Sequence, residues 1–250
     1  MLLHGLGRSG ESAWREVIPL LSDHHQVYAP TALGHRGGPT VERQPVTMND
    51  VVDAAEHYLD ERGLDRPHLA GNSLGAFMAI ELARRGRAAT VCALSPPGLW
   101  SSGDGLQARA FKPLRRNLAL GRLMRPAYPL MFKSAALRRL GFRDAAVHGD
   151  RLTPAQALEK VNETLNCTVL VDLSVDVWHI APLNPLPCPI TVVWSEKDAL
   201  LPMPEYTRAL SELLPQAIFE VIDGVGHEPM VDDPRLVART ILAVTDAAND

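Results

Sequence analysis

Apolar positions along the chain alternate between short continuous runs and stripes at helical spacing, which predicts that strands alternate with helices. The predicted strands are residues 27–29, 68–70, 90–94, 190–194 and 218–222. The predicted helices run from about 11 to 22, from 47 or 49 to just before Gly63, from 76 to 83, from 206 to 214, and from 233 to 244. This alternation predicts an α/β fold with a mostly parallel, doubly wound sheet and helices on both faces.

The alternation stops between residues 99 and 187, where helical stretches occur without a convincing strand. That segment is much longer than an ordinary connection between two elements. We therefore predict a helical cap at residues 99–187, inserted into a core formed by residues 1–98 and 188–250.

Composition narrows the class of protein. The 250 residues are 46% hydrophobic, enough for one large domain with a real core. A net charge of −4 offers no global attraction to nucleic acid. The three cysteines form no C-x-x-C pair, and no apolar run reaches the length of a membrane span. We expect a cytoplasmic protein that needs no cofactor and does not bind nucleic acid.

Charge is unevenly distributed within the predicted cap. Residues 106–143 carry ten Lys and Arg and neither Asp nor Glu, and the basic residues alternate with leucine, methionine and phenylalanine. This pattern predicts an amphipathic lid that makes weak contact with lipid or prefers amphiphilic or anionic acyl substrates. The alternative is a solvated outer face over a pocket lined by the same apolar residues.

A glycine-flanked serine stands between a predicted strand and an apolar helix, in Gly71-Asn72-Ser73-Leu74-Gly75. A serine hydroxyl is a poor nucleophile at neutral pH, and a sharp strand-to-helix turn lifts it out of the sheet toward a base. Side chains at the glycine positions would collide with the neighbouring strand and helix. We predict that Ser73 is a nucleophile, with a tight structural turn as the alternative.

Two backbone N–H groups are candidates for an oxyanion hole. The segment His4-Gly5-Leu6-Gly7 follows an apolar strand stub and precedes the first predicted helix. An anionic oxygen in acyl transfer needs two fixed donors, and the N–H groups of Leu6 and Leu74 can supply them from adjacent loops. An ordinary glycine-rich turn is the alternative.

A base and an orienting acid are expected at the edge of the sheet that carries the serine. His227 follows the last predicted strand, and Asp198 follows the strand before it. A carboxylate at Asp198 can accept the second imidazole N–H and fix the tautomer. Glu196 is the rival acid, and Asp172 and Asp176 stay open although they suit polar positions of a cap helix.

The order Ser73, Asp198, His227, with each residue just past a strand, resembles the α/β-hydrolase superfamily. The resemblance covers nearly the whole chain except the predicted cap. Carried over residue by residue, it implies Ser73 as nucleophile, His227 as base, Asp198 as acid, and Leu6 and Leu74 as oxyanion donors.

Two departures from the superfamily pattern affect the predicted structure. Relatives usually carry two strands before the His-Gly loop, and here only Met1-Leu2-Leu3 precedes it. We expect either a sheet without that edge pair or a true start that lies upstream, and an open edge would allow a homodimer. Thr31 replaces the aspartate of the family's Pro-Asp-x-x-Gly-His turn, which we expect to affect loop structure and not chemistry.

The resemblance leads to a serine hydrolase that cleaves a carboxylic ester or thioester of a small to medium apolar acyl substrate through an acyl-enzyme. Haloalkane dehalogenases and epoxide hydrolases of this fold need a carboxylate where Ser73 stands. Carbon–carbon bond hydrolases with the same triad are the first alternative, and a small-ligand receptor with a vestigial triad is the second. The acyl chain length, the leaving group and the oligomeric state stay open.

Overall fold

The computed structural model describes residues 1–100, 105–203 and 205–247, without the side chains of residues 113, 116 and 117. Five strands form one sheet in the order β1-β2-β3-β4-β5, and every described pairing is parallel. The strands are β1 (Leu2–Leu3), β2 (His68–Asn72), β3 (Thr90–Leu94), β4 (Ile190–Ser195) and β5 (Ile218–Ile222). The predicted α/β class with a parallel sheet is confirmed.

Helices connect the strands and pack on both sides of the sheet. They are α1 (Gly10–Trp14), α2 (Ile18–Leu21), α3 (Met48–Glu61), α4 (Leu74–Arg84), α5 (Leu106–Met124), α6 (Tyr128–Met131), α7 (Ala135–Gly141), α8 (Pro154–Leu165), α9 (Leu170–Val175), α10 (Leu210–Leu213), α11 (Pro229–Asp232) and α12 (Pro234–Asp246). None of these helices combines the length and the apolar character that crossing a membrane would need.

The segment predicted to form the cap contains α5 to α9 and no strand among its described residues. Residues 101–104 of that segment, and the side chain of Arg116 in its basic stretch, lie outside the described residues. The boundaries of the cap at residues 99 and 187 stay a prediction.

Apolar side chains alternate along the strands and fill one core on each face of the sheet. Leu3, Leu69 and Val91 pack with α3 and α4 on one face. Leu2 and Ala70 point the other way and pack with α1, α2 and α12. Alternating side-chain direction along a strand requires this division. A sheet covered on both faces holds its strand ends in fixed positions.

Polar caps define the starts of two long helices where the sequence predicts them. The side chain of Thr47 accepts a hydrogen bond from the N–H of Asp50 at the start of α3. The side chain of Asp233 accepts one from the N–H of Leu236 at the start of α12, where proline follows the cap. Each cap satisfies an N–H group that the helix leaves without a partner.

Three predicted elements differ in the structure. The helix predicted over 11–22 is divided into α1 and α2, because Pro19 has no N–H to continue the ladder across the break. No strand is assigned at 27–29, where the N–H of Leu2 donates to Tyr28 O at 2.8 Å. The helix predicted over 206–214 is shorter in the structure, where α10 covers only Leu210–Leu213 and ends before Pro215.

We predict that Trp194→Phe destabilises the protein. Trp194 is fully buried, and its indole N–H donates to Leu201 O at 2.9 Å. Phenylalanine leaves that carbonyl without its donor and opens a small void, so the free energy of unfolding should fall by about 1–3 kcal/mol. Urea unfolding measures the change. Leu123→Ala is the control, because Leu123 is 76% exposed and its loss should change stability by less than about 0.5 kcal/mol. Equal stability of Trp194→Phe and wild type would contradict this account.

Candidate active site

Ser73 occupies a sharp turn between β2 and α4. Its backbone has φ 53° and ψ −120°, a conformation that residues with a side chain rarely adopt. A Cβ atom at Gly71 would overlap the backbone of Gly75, and a Cβ atom at Gly75 would overlap the carbonyl of Leu3. The two glycines therefore let β2, α4 and β1 approach closely enough to hold the turn, as the sequence predicts.

His227 and Asp198 meet beyond the carboxyl ends of β5 and β4. Nδ1 of His227 lies 2.7 Å from Oδ2 of Asp198. The other oxygen of Asp198, Oδ1, accepts the N–H groups of Leu200 at 3.0 Å and Leu201 at 2.7 Å. Both partners are buried. The loop after β4 thus orients the carboxylate so that one oxygen is left for the imidazole, which fixes the proton on Nδ1 and leaves Nε2 as an acceptor.

The environment of His227 raises its pKa above the ordinary value. Burial lowers the pKa of this imidazole, and the charge of Lys160 lowers it a little further. The charge of Asp198, the hydrogen bond to Asp198 and the charge of Glu228 together raise the pKa by more. The protonated form is therefore stabilised mainly by Asp198, which suits a group that accepts a proton and later returns it.

His4 holds the loop that carries Leu6. Its Nε2 accepts the N–H of Ala32 at 2.9 Å, so the ring proton sits on Nδ1, which donates to Gly5 O at 2.8 Å. Burial, the nearby His35 and Arg8 lower the pKa of His4 to about 3. A neutral imidazole thus ties the loop to the neighbouring segment at any ordinary pH.

The N–H groups of Leu6 and Leu74 come from two adjacent loops. Leu74 is the first residue of α4, where a helix leaves its N–H groups without intrahelical partners and carries the positive end of its dipole. Leu6 and Leu74 both line the cavity that Ser73 lines. This arrangement suits the stabilisation of an anionic oxygen beside the serine hydroxyl.

One cavity of about 550 Å³ brings these groups together. Ser73 and His227 line it from the core, and apolar residues such as Phe111, Leu118 and Val161 line it from the cap segment. A mostly apolar cavity of this size with a few polar groups at one end is typical of a small-molecule site.

The structure does not bring the rival acids to the imidazole. Glu196 is exposed, pairs with Lys197 at 2.7 Å and accepts the N–H of Gly224 at 2.9 Å. Asp172 and Asp176 instead accept the N–H groups of Val46 at 3.0 Å and Met48 at 2.8 Å. These two carboxylates join the cap segment to the start of α3.

Two positioning residues were missed by the sequence reasoning. Nδ2 of Asn72 donates to His227 O at 2.8 Å, so the residue before the serine holds the backbone of the histidine. Asp232 accepts three N–H groups, from Gly226 at 2.7 Å, Val147 at 3.0 Å and His148 at 2.6 Å. In the sequence, the only signals for these roles were the Gly71-Asn72-Ser73 turn and the segment Asp232-Asp233-Pro234.

The fold and this arrangement of loops define a hydrolase of the α/β type. Residues 1–240 match the family model described as the alpha/beta hydrolase family, and the chain belongs to that family.

Similar proteins act on different bonds. Epoxide hydrolase EphH of Mycobacterium tuberculosis is 28% identical over 198 residues, which cover 76% of this chain and 91% of that protein. Lipase 3 of Moraxella sp. is 26% identical, over 100% of this chain and 75% of that protein. The solved structure of a thermophilic esterase from Thermogutta terrifontis superposes with a TM-score of 0.72 at 22% identity, over 100% of this chain and 89% of that one. Membership in the family therefore establishes a hydrolase and leaves the bond open.

We predict that His227 titrates above the ordinary histidine value of about 6.5, and below it in Asp198→Asn. The variant removes the charge that favours the imidazolium and keeps the burial that opposes it. NMR titration of the imidazole measures both values. Glu196→Gln is the matched control and should leave the titration unchanged. A larger effect of Glu196→Gln than of Asp198→Asn would show that Glu196 is the acid and that the assignment to Asp198 is wrong.

Proposed function

We propose that the protein is a serine hydrolase that cleaves a carboxylic ester through an acyl-enzyme intermediate. The observation that carries this proposal is that Ser73, His227, Leu6 and Leu74 line one cavity, with Asp198 bonded to the histidine. A hydroxyl, a base and two donors for a developing negative charge are the groups that acyl transfer requires.

The proposed reaction has two halves. Nε2 of His227 takes the proton of Ser73 while Oγ attacks the carbonyl carbon, and the resulting oxyanion accepts the N–H groups of Leu6 and Leu74. The imidazolium then gives its proton to the leaving alkoxide as the ester bond breaks. In the second half His227 deprotonates water as the water oxygen attacks the acyl carbon, and the imidazolium then gives that proton to Oγ of Ser73 as the bond from Oγ to the acyl carbon breaks and the acid is released. Asp198 stabilises the imidazolium in both halves.

The hydroxyl of Ser73 favours an ester over an epoxide. Attack of a serine oxygen on an epoxide carbon would give an ether, which has no carbonyl for water to attack. Attack on an ester gives an acyl-serine, which the same machinery hydrolyses. A thioester follows the same route, with a thiolate as the leaving group.

The cavity supports a small to medium apolar acyl group. Its volume of about 550 Å³ lies within the range of ligand pockets, and leucine, phenylalanine and tryptophan side chains dominate its lining. Leu120, Leu140 and Arg143 also line this cavity and are exposed, so its mouth combines apolar surface with a guanidinium. Nε of Arg143 lies 3.7 Å from Oδ1 of Asp144, which also lines the cavity, and the guanidinium has further N–H donors that can bind a substrate carboxylate. This combination supports a preference for amphiphilic acyl substrates that carry a carboxylate.

We predict that Ser73→Ala abolishes the burst of p-nitrophenol that wild type releases from a p-nitrophenyl ester. Loss of the nucleophile should cut turnover by roughly 10⁴-fold or more, and stopped-flow absorbance measures burst and steady state. Ser195→Ala is the matched control, because Ser195 is a buried serine at the end of β4 and its loss should leave the burst intact.

The outcome of that experiment also separates the alternatives. Turnover of a vinylogous diketone without turnover of any ester would favour a carbon–carbon bond hydrolase. A folded wild type that neither hydrolyses esters nor reacts with a fluorophosphonate at Ser73 would favour a small-ligand receptor.

We predict that Arg143→Gln lowers kcat/KM for a carboxylate-bearing ester by about two- to fivefold and leaves a neutral ester of the same chain length unchanged, because an exposed charge contributes modestly. The effect should shrink in added salt. Arg109→Gln is the matched control, since exposed Arg109 pairs with Glu205 away from the cavity lining. Equal, salt-independent rates on both esters in wild type would contradict the preference.

A further inference from the structure

Glu228, the residue that follows His227, is one of four buried charged side chains that lie together. Lys160 donates to Glu228, and Nε of Arg8 lies 3.6 Å from Oε2 of Glu228. Nη1 of Arg8 also donates to Oε2 of Glu163 at 2.8 Å. The side chains of this cluster are between 5% and 14% exposed. We call Arg8, Lys160, Glu163 and Glu228 the cap–core charge cluster.

The cluster joins three parts of the fold at the cavity. Lys160 and Glu163 lie on α8 of the cap segment, Arg8 follows the loop of Leu6, and Glu228 follows His227. Arg8, Lys160 and Glu228 all line the cavity that holds Ser73 and His227. One helix of the cap segment is thus tied by charge to both loops of the candidate site.

Hydroxyl groups also hold α8 against the same loop, without involving Lys160 or Glu228. Oγ of Ser9 and Oγ of Ser12 donate to Glu163 at 2.5 and 2.7 Å. Oγ1 of Thr164 donates to Gly7 O at 3.2 Å. These hydrogen bonds orient α8 and involve neither Lys160 nor Glu228. The ion pair between Lys160 and Glu228 is therefore not needed merely to place the helix.

Buried ion pairs are costly and contribute little net stability, because desolvation offsets most of their attraction. The two positive and two negative charges of the cluster sum to zero, but the four residues do not stand in the same relation to His227. Glu228 is its neighbour in the chain, and Lys160 faces it from α8.

We propose that Glu228 is a positioning residue for His227, and that its ion pair with Lys160 ties the seating of α8 to the placement and charge state of the imidazole. This inference rests on the proposed function in one respect, which is that His227 acts as the base. Glu228 and Lys160 touch neither the hydroxyl nor the carbonyl in the proposed reaction.

The charges that face His227 act in opposite directions. Asp198 and Glu228 raise the pKa of the imidazole, and Lys160 of α8 lowers it. Burial raises the pKa of Glu228, but Lys160 and Arg8 outweigh it and hold that pKa at about 2, so Glu228 stays charged. Burial and Arg8 lower the pKa of Lys160 to about 8 against the pull of Glu228, so Lys160 is charged at neutral pH.

A mechanism for coupling follows from these opposing effects. When α8 is seated, the ammonium of Lys160 offsets the carboxylate of Glu228 beside the imidazole. If α8 lifts away, Lys160 and Glu163 leave with it, Arg8 stays beside Glu228, and the imidazole loses the repulsion of Lys160. The imidazole then holds a proton more tightly and is less available as a base, so the site is most active at neutral pH with the helix closed over the cavity.

The test compares Glu228→Gln and Lys160→Met with wild type in the full-length protein. The readouts are the pH dependence of kcat/KM on a p-nitrophenyl ester and NMR titration of the His227 imidazole. Glu228→Gln should move the acidic limb to lower pH and Lys160→Met should move it to higher pH, each by on the order of one pH unit. At a pH on that limb, and after kcat/KM is divided by its plateau value, kcat/KM of the two variants should differ from that of wild type by up to roughly tenfold in opposite directions.

Glu159→Gln is the matched control. Glu159 precedes Lys160 on α8 and forms a two-point ion pair with Arg15 at 2.9 and 3.1 Å, which also joins the cap segment to the core. Its loss removes a contact of the same kind that does not face His227, so the limb should stay where it is in wild type. Lys160→Arg keeps the charge and should restore the limb that Lys160→Met moves.

Opposite shifts of the two variants, with Glu159→Gln unchanged, would support the proposal. Lower rates with an unmoved limb and an unmoved titration, or shifts of both variants in one direction, would overturn it and leave the cluster a structural role. Should Glu228→Gln fail to fold by circular dichroism, Lys160→Met against Lys160→Arg decides the matter. Opposite NMR shifts in a protein that hydrolyses no ester would sustain the positioning role and refute the proposed function instead.

Discussion

The backbone of Ser73 is the constraint on which the candidate site depends. A left-handed conformation at a residue with a side chain costs on the order of 1–3 kcal/mol, and it persists only when the surrounding packing enforces it. Here α4 lies so close to β1 and β2 that no side chain fits at Gly71 or Gly75. The same close packing brings the first N–H of α4, at Leu74, to the cavity. The positions of the proposed nucleophile and of one proposed oxyanion donor are therefore consequences of a single packing arrangement.

The other side of the site is organised by buried polar groups and not by packing alone. Asp198 is held by two backbone N–H groups, His227 by Asp198 and Asn72, and the loop after β5 by Asp232. Each of these groups is buried, so an unpaired one would cost free energy comparable to a lost hydrogen bond. The hydrogen bonds of His227 to Asp198 and Asn72 hold the imidazole in one orientation. The positive charge of Lys160, in the cap segment, also lowers the pKa of this imidazole.

Much of this arrangement is predictable from sequence because it depends on local order. Ser73 directly follows β2, Asp198 and His227 lie in the loops after β4 and β5, and the structure places all three beyond the carboxyl ends of parallel strands. Strand–helix alternation and N-caps are local as well, so the sheet and the starts of α3 and α12 could be foreseen. The break between α1 and α2 was missed although Pro19 carries the signal for it.

The elements that sequence reasoning missed depend on distant partners. Residues 27–29 would form a strand only if a neighbouring strand supplied enough backbone hydrogen bonds. The structure assigns no strand there. Arg8 and Lys160 stand more than 150 positions apart and meet only because α8 folds over the cavity. No periodicity marks such a pair. A charged residue on a helix looks the same in sequence whether it faces water or a buried carboxylate.

A crystal structure of the protein after reaction with a fluorophosphonate would show directly whether these groups act together. We expect a bond from Oγ of Ser73 to phosphorus, a phosphoryl oxygen within hydrogen-bond distance of the N–H groups of Leu6 and Leu74, and Nε2 of His227 directed at the adduct. An adduct on another residue, or a phosphoryl oxygen turned away from both N–H groups, would contradict it.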